Sequence, residues 1–105
     1  MATAITMLEE KAAEVAGVLR VLANEKRLLI LCLLIEEGEI SVTPLAERVG
    51  LSQSALSQHL ARLREDGLVA TRRESQVLYY RVADDSVRRL LEHLYEIYCA
   101  DVTAG

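Results

Sequence analysis

Residues 51–67, LSQSALSQHLARLREDG, decide how this chain is read. Ser52 suits a helix start, because its hydroxyl accepts one of the amides that a first turn leaves unpaired. Gly67 suits a helix end, since glycine enters the left-handed conformation without steric cost. Between them Leu56, Leu60 and Leu63 recur at i, i+4 and i+7 and form a narrow apolar stripe. The opposite face carries Gln53, Ser54, Ser57, Gln58 and Arg62. All but the last are uncharged groups that donate and accept. Such groups match the mixed donor and acceptor edges of bases in the major groove, and Arg62 matches guanine or phosphate. Taken alone, the stretch reads equally as a solvated amphipathic helix, so its neighbours decide.

Upstream, Ser41 or Thr43 caps a short helix ending at Val49, with Pro44 in its first turn, where a missing N–H does no harm. Gly50 closes it. Two short helices separated by Gly50, Leu51 and Ser52 have the spacing of a helix-turn-helix. Downstream the apolar period changes. Residues 68–71 and 77–82 are β-prone runs around a polar turn at 72–76. They predict a two-stranded hairpin, or wing. Its tip would carry Arg72 and Arg73, ready for phosphates or an adjacent minor groove.

Farther out, residues 6–23 predict a first helix, with Leu8, Ala12, Val15, Leu19 and Leu22 at helical spacing. Asn24 caps a second helix over 25–37, which Gly38 ends. Its middle, LLILCLLI at 28–35, is apolar almost all round and is expected to be the central buried helix. Asp84 or Asp85 begins a last helix running to about residue 101, with a stripe of Val87, Leu90, Leu91, Leu94, Ile97 and Tyr98. The expected fold is mainly α with a two-stranded β-wing. It is a winged helix-turn-helix in the order α-α-α-α-β-β-α, one domain over residues 1–105. The terminal helices carry more apolar surface than so small a core absorbs. That predicts a homodimer built from them, whose two-fold symmetry suits a palindromic operator in double-stranded DNA.

A net charge of −4 over 105 residues looks wrong for a partner of DNA, but its distribution does not. Residues 1–47 carry net −4, residues 48–81 net +3, and residues 82–105 net −3. The basic charge thus concentrates on the helix-turn-helix and wing, and acidic flanks disfavour binding elsewhere. The longest apolar run, 28–35, is too short to span a bilayer, and the N-terminus lacks the basic region of a signal peptide. A cytoplasmic location is expected, where the chain's two cysteines would be reduced. No nucleophile with a partnered base, no Gly-rich phosphate loop and no metal triad is present, so an enzyme is not expected. Two rival readings are the same scaffold sensing metal or no effector at all, and a winged helix used purely for protein interaction; the basic recognition segment argues against the second.

With LANEKRLLIL, LAERVGLSQSALSQHLARLREDGLV and TRRESQVLYYRV in this order, the chain resembles the ArsR/SmtB winged-helix repressors over about residues 15–100. The resemblance implies a dimer in which Gln53, Ser54, Ser57, Gln58 and Arg62 face DNA. It also raises the question of metal sensing, and there the chain departs. Thiol-rich sensors carry a Cys-x-Cys near the third helix, where this chain reads ISVTPLAE. In the last helix His93-x-x-Glu96 fits half of a zinc motif, but the other half falls on Tyr80 and Val82, which are not ligands. No metal or other cofactor is expected. On the residues alone Cys32 and Cys99 read as inert buried thiols. The resemblance reverses this, because one cysteine in the second helix and one in the last look like the thiol-switch branch of the family. It implies that reactive sulfur species or oxidants bridge the pair, as a disulfide or a polysulfide. Cys99, near a helix end, is expected to be the more accessible of the two.

Overall fold

The computed structural model describes residues 3–104, with side chains through Cys99; Met1, Ala2 and Gly105 of the expected domain span lie outside the described residues. The elements are α1 (Ala4–Leu22), α2 (Glu25–Glu37), β1 (Ile40–Ser41), α3 (Val42–Val49), α4 (Gln53–Glu65), β2 (Val69–Glu74), β3 (Val77–Val82) and α5 (Asp85–Ala104). The winged helix-turn-helix predicted from the pattern is the fold observed.

Side chains that accept first-turn amides set four of the helix starts. Thr3 accepts from the Thr6 amide at 3.2 Å, so α1 begins ahead of the apolar periodicity. Asn24, Ser52 and Asp84 accept from the amides of Arg27, Ala55 and Val87, each at 3.1 Å. Caps of this kind contribute about 1 kcal/mol each. Ser41 precedes α3 without a side-chain cap bond. Gly50 and Gly67 take positive φ, 72° and 76°, and turn the chain at the ends of α3 and α4.

Two details of the wing differ from expectation. It is three-stranded, in the order β1-β3-β2, and Ile40 and Ser41 pair with Tyr80 and Tyr79. Two residues are too short to show the alternation by which a strand is recognised. The hairpin is also longer than its composition suggests. Arg72 and Arg73 are strand residues paired with Tyr79 and Leu78, and the turn is Ser75-Gln76. Ser75 has φ of 56°, the positive value that a tight two-residue hairpin needs at its first turn position. Cross-strand pairing with β3 therefore outweighs the polarity of residues 72–74.

The core is one aliphatic cluster. Ile30, Leu31 and Leu34 of α2, Leu45 of α3, Leu56 and Leu63 of α4 are wholly inaccessible, and Val69, Val82, Val87 and Leu91 close around them. The second helix is not buried all round, however. Leu29 is 43% exposed and Cys32 is exposed, because the other elements cover only one side of α2. The terminal helices confirm the surplus of apolar surface within the protomer: Leu8, Leu19, Ile97 and Tyr98 are 50–76% exposed. Among the described residues, no helix is long and apolar enough to cross a membrane.

Leu34 lies at the centre of the cluster. Leu34→Ala is expected to cost about 2–5 kcal/mol, through lost burial and the cavity left behind. Urea unfolding followed by circular dichroism reads this as a lower midpoint at unchanged slope. A loss below about 1 kcal/mol would show that the core does not run through α2.

Candidate nucleic-acid interface and thiol groove

The helix-turn-helix is built by burying one face of α4. Leu56, Leu60 and Leu63 point into the core, so the remaining positions must face outward. Gln53, Ser54, Ser57, Gln58 and Arg62 are all exposed, as the stripe predicts. His59 is half-buried between the two faces. Gln53 donates from Nε2 to the Thr43 hydroxyl at 3.1 Å, which ties the first turn of α4 to α3. Arg62 is engaged by Asp66 one turn on, Nε to Oδ2 at 2.9 Å. An exposed pair like this is weak and exchanges readily for another anion.

Lys26 is a contributor that sequence reasoning missed. Its Nζ donates to the Val49 carbonyl at 2.9 Å across a partly buried gap. The last carbonyls of a helix carry partial negative charge, so the ammonium both caps α3 and pins the helix-turn-helix to the start of α2. No sequence signal marks it, because the partners lie 23 residues apart.

In the wing, Arg72 and Arg73 diverge. Arg72 meets Glu39 through Nη2–Oε1 at 2.7 Å and Nε–Oε2 at 3.1 Å, and meets Glu74 through Nη1 at 2.9 Å. Its guanidinium carbon also lies 4.8 Å from the centroid of the Tyr79 ring. Hydrogen bonds from Arg72 hold the Glu39 carboxyl below its ordinary range, and the charges of Arg72 and Arg81 add to this. Arg73 is exposed and makes no ion pair among the described residues.

Cys32 lines a groove between α2 and α5. Cys32, Ile35 and Glu36 of α2 face Leu91, Glu92, Tyr95 and Glu96 of α5 across a space of about 510 Å³. Cys99 lies four residues beyond Tyr95, so it continues the Leu91–Tyr95 stripe of α5. Both thiols are free. Partial burial pushes the Cys32 thiol above the ordinary thiol range, and Cys99 adds to the rise. Cys32 is exposed and Cys99 only half-exposed, the reverse of the expected order of accessibility. The helix end leaves Cys99 no freer, because α5 continues past it to Ala104. His93 and Glu96 form an exposed pair at 3.5 Å, and no group of three potential metal ligands occurs among the described residues.

Residues 24–71 match the family model described as bacterial regulatory protein, arsR family. Over 92 residues the chain is 48% identical to the transcriptional activator HlyU of Vibrio cholerae, covering 88% of this chain and 84% of HlyU. The structure of reduced HlyU from that organism superposes with a TM-score of 0.82 at 47% identity, over 89% of this chain and 97% of that one. The nodulation protein NolR of Rhizobium meliloti is 52% identical over 95 residues, 90% of this chain and 77% of NolR. The transcriptional repressor BigR from Xylella fastidiosa superposes with a TM-score of 0.86 at 39% identity, covering 92% and 98% of the two chains.

The chain belongs to the ArsR family of bacterial regulatory proteins.

As an ArsR-family member it is a transcriptional regulator and not an enzyme. The match at residues 24–71 runs from the cap of α2 through the helix-turn-helix into β2, so it takes in Lys26 and its carbonyl partner Val49. Cys99 thus lies beyond the matched segment and Cys32 within it.

A raised pKa leaves Cys32 with less thiolate than an ordinary thiol at any pH below it, and the thiolate is the nucleophile. Alkylation of Cys32 by iodoacetamide should therefore be slower at neutral pH than alkylation of the cysteine in a short unfolded peptide, because burial disfavours the thiolate. The Cys32 rate should keep climbing with pH after that of the peptide thiol has levelled off, since burial holds the thiol up. Mass spectrometry of the labelled protein and peptide against time and pH gives both rates. A Cys32 rate that levels off at or below the pH at which the peptide thiol does would contradict the environment of Cys32 described above.

Proposed function

We propose that this ArsR-family regulator binds a palindromic operator in double-stranded DNA as a homodimer, in the manner of a repressor, and releases it when Cys32 and Cys99 become bridged. The supporting observation is the α2–α5 groove, which the free Cys32 lines from α2 and whose α5 wall, Leu91 and Tyr95, continues along the helix to the free Cys99. The relative HlyU is described in a reduced form, which accords with thiols that change oxidation state. Dimerisation follows from the uncovered apolar faces of α1 and α5. The base-reading face would comprise Gln53, Ser54, Ser57, Gln58 and Arg62, with Arg73 on a phosphate. A cytoplasmic location accords with reduced thiols and a DNA target.

The bridging chemistry balances with a sulfane donor. The Cys32 thiolate attacks the central sulfur of an organic trisulfide, RSSSR, and expels one RS⁻. The Cys99 thiolate then attacks the same sulfur and expels the second. Two thiols and RSSSR yield a Cys–SSS–Cys bridge and two RSH. With hydrogen peroxide the same thiols would give a disulfide and two waters, but a direct bond needs Cα atoms within about 7 Å. A longer bridge spans a groove with less strain. Because α5 would carry the dimer contact, a bond to α2 would shift the two recognition helices relative to each other. A tenfold loss of affinity needs only about 1.4 kcal/mol of difference between the two states.

Two outcomes are expected. Gln58→Ala should cost about 1–3 kcal/mol on the preferred duplex and relax base preference, whereas Arg73→Ala should weaken all duplexes alike and flatten the salt slope by about one unit. Fluorescence anisotropy on selected and scrambled duplexes distinguishes them, and wild-type binding by both variants would remove the proposed DNA face. For the switch, gel shifts compare reduced and trisulfide-treated protein with Cys32→Ser and Cys99→Ser. Both variants should bind when reduced and neither should release. Complete release by treated Cys99→Ser would rule out a two-thiol bridge.

A further inference from the structure

We propose that Glu39 and Arg72 form a clamp that fixes the wing against the helix-turn-helix, so that Arg72 serves DNA binding as a positioning residue without touching a phosphate. This rests on the DNA-binding reading above and assigns Arg72 a different part in it from Arg73.

The clamp spans the whole sheet. Arg72 of β2 and Ser41 of β1 both pair with Tyr79 of β3, which puts the three residues in one row across the strands. Partners in such a row project to the same face. Arg72 lies over the Tyr79 ring and reaches Glu39, two residues before Ser41. One side chain thus bridges from the outer strand of the hairpin, across the central strand, to the segment entering β1. That segment joins α2 to β1 and α3, and α3 is the first helix of the helix-turn-helix. β1 alone is a poor anchor, because it offers only two paired residues. Buried Val69 and Val82 hold the base of the hairpin, and the bidentate pair ties it down farther out, at Arg72. A planar fork on a carboxylate fixes direction as well as distance, which a point charge does not.

The same geometry takes Arg72 out of phosphate recognition. Nε and Nη2 are committed to Glu39 and Nη1 to Glu74. With Arg81 also acting on Glu39, two carboxylates balance two guanidiniums, so Arg72 offers a polyanion no net attraction unless its pairs break. Arg73 is the next residue along β2, so it faces the opposite side of the strand. The adjacent arginines of this wing divide the work: one is bound within the protein, and one is left for the ligand.

The clamp is tested first without DNA. Hydrogen exchange of the free protein should show amides at residues 69–82 opening about threefold or more faster in Glu39→Gln than in the wild type, since local opening tracks the contacts that hold a segment. Wild-type exchange in that variant would overturn the clamp. The second arm uses a fluorescein-labelled duplex that the wild-type protein selects from a randomised pool, titrated at several salt concentrations. Glu39→Gln and Arg72→Gln should each bind about three- to fivefold more weakly, the double variant no worse than either, with the wild-type salt slope retained. Tighter or unchanged binding by Glu39→Gln, or a slope lowered by about one unit in Arg72→Gln, would make Arg72 a phosphate contact and overturn the proposal. If no duplex is selected at all, the DNA-binding reading fails, and the exchange arm still judges the clamp.

Discussion

Burial of one aliphatic stripe against another orients almost everything else in this protein. Leu56, Leu60 and Leu63 of α4 join Ile30, Leu31 and Leu34 of α2 in a single cluster. No aromatic side chain belongs to the buried core, so its volume comes from branched aliphatic residues that interdigitate closely. Once those leucines are inward, the rotation of α4 about its axis is fixed. Gln53, Ser54, Ser57, Gln58 and Arg62 then have one direction left, and they present a face free of buried contacts. The same cluster takes Val69 and Val82 from the two ends of the hairpin, which roots the wing in the core.

Around that core, basic side chains serve the backbone as much as any ligand. Lys26 holds the Val49 carbonyl, Arg27 the Val21 carbonyl and Arg88 the Val82 carbonyl. Each joins one element to the end of another, where carbonyls lack regular partners. Arg48 pairs with Glu37, and Arg72 with Glu39 and Glu74. A count of positive residues along the sequence therefore overstates the charge available to a polyanion. What remains outward on α4 and β2 is a smaller set, set off by acidic flanks.

The second helix has two faces with different duties. One carries the centre of the core, and the other carries Cys32, Ile35 and Glu36 toward the groove beside α5. The bridge proposed above would act on a helix whose far side shares the core cluster with α4 and whose first turn holds α3 through Lys26. Interiors this closely packed transmit displacement instead of absorbing it. The groove, the turn of the helix-turn-helix and the terminal helices thus share a single rigid element.

Much of this was legible in the chain itself, wherever the deciding signal was local. The stripe at residues 56, 60 and 63, the caps at Asn24 and Ser52, and the glycines at 50 and 67 act within a few residues of one another, so spacing and residue type determined the helices and the face of α4. Only the tertiary structure decided features that join distant residues. A two-residue β1 exists because β3 lies beside it, and pairing with β3 carries β2 through Arg72 and Arg73 to Glu74. Periodicity cannot say which side of an apolar helix its neighbours leave open, so Cys32 read as buried and stands exposed. The 33 residues between Glu39 and Arg72 hide their bond from any local pattern. It forms because three strands lie side by side and bring a carboxylate to the end of a guanidinium that composition alone would assign to DNA.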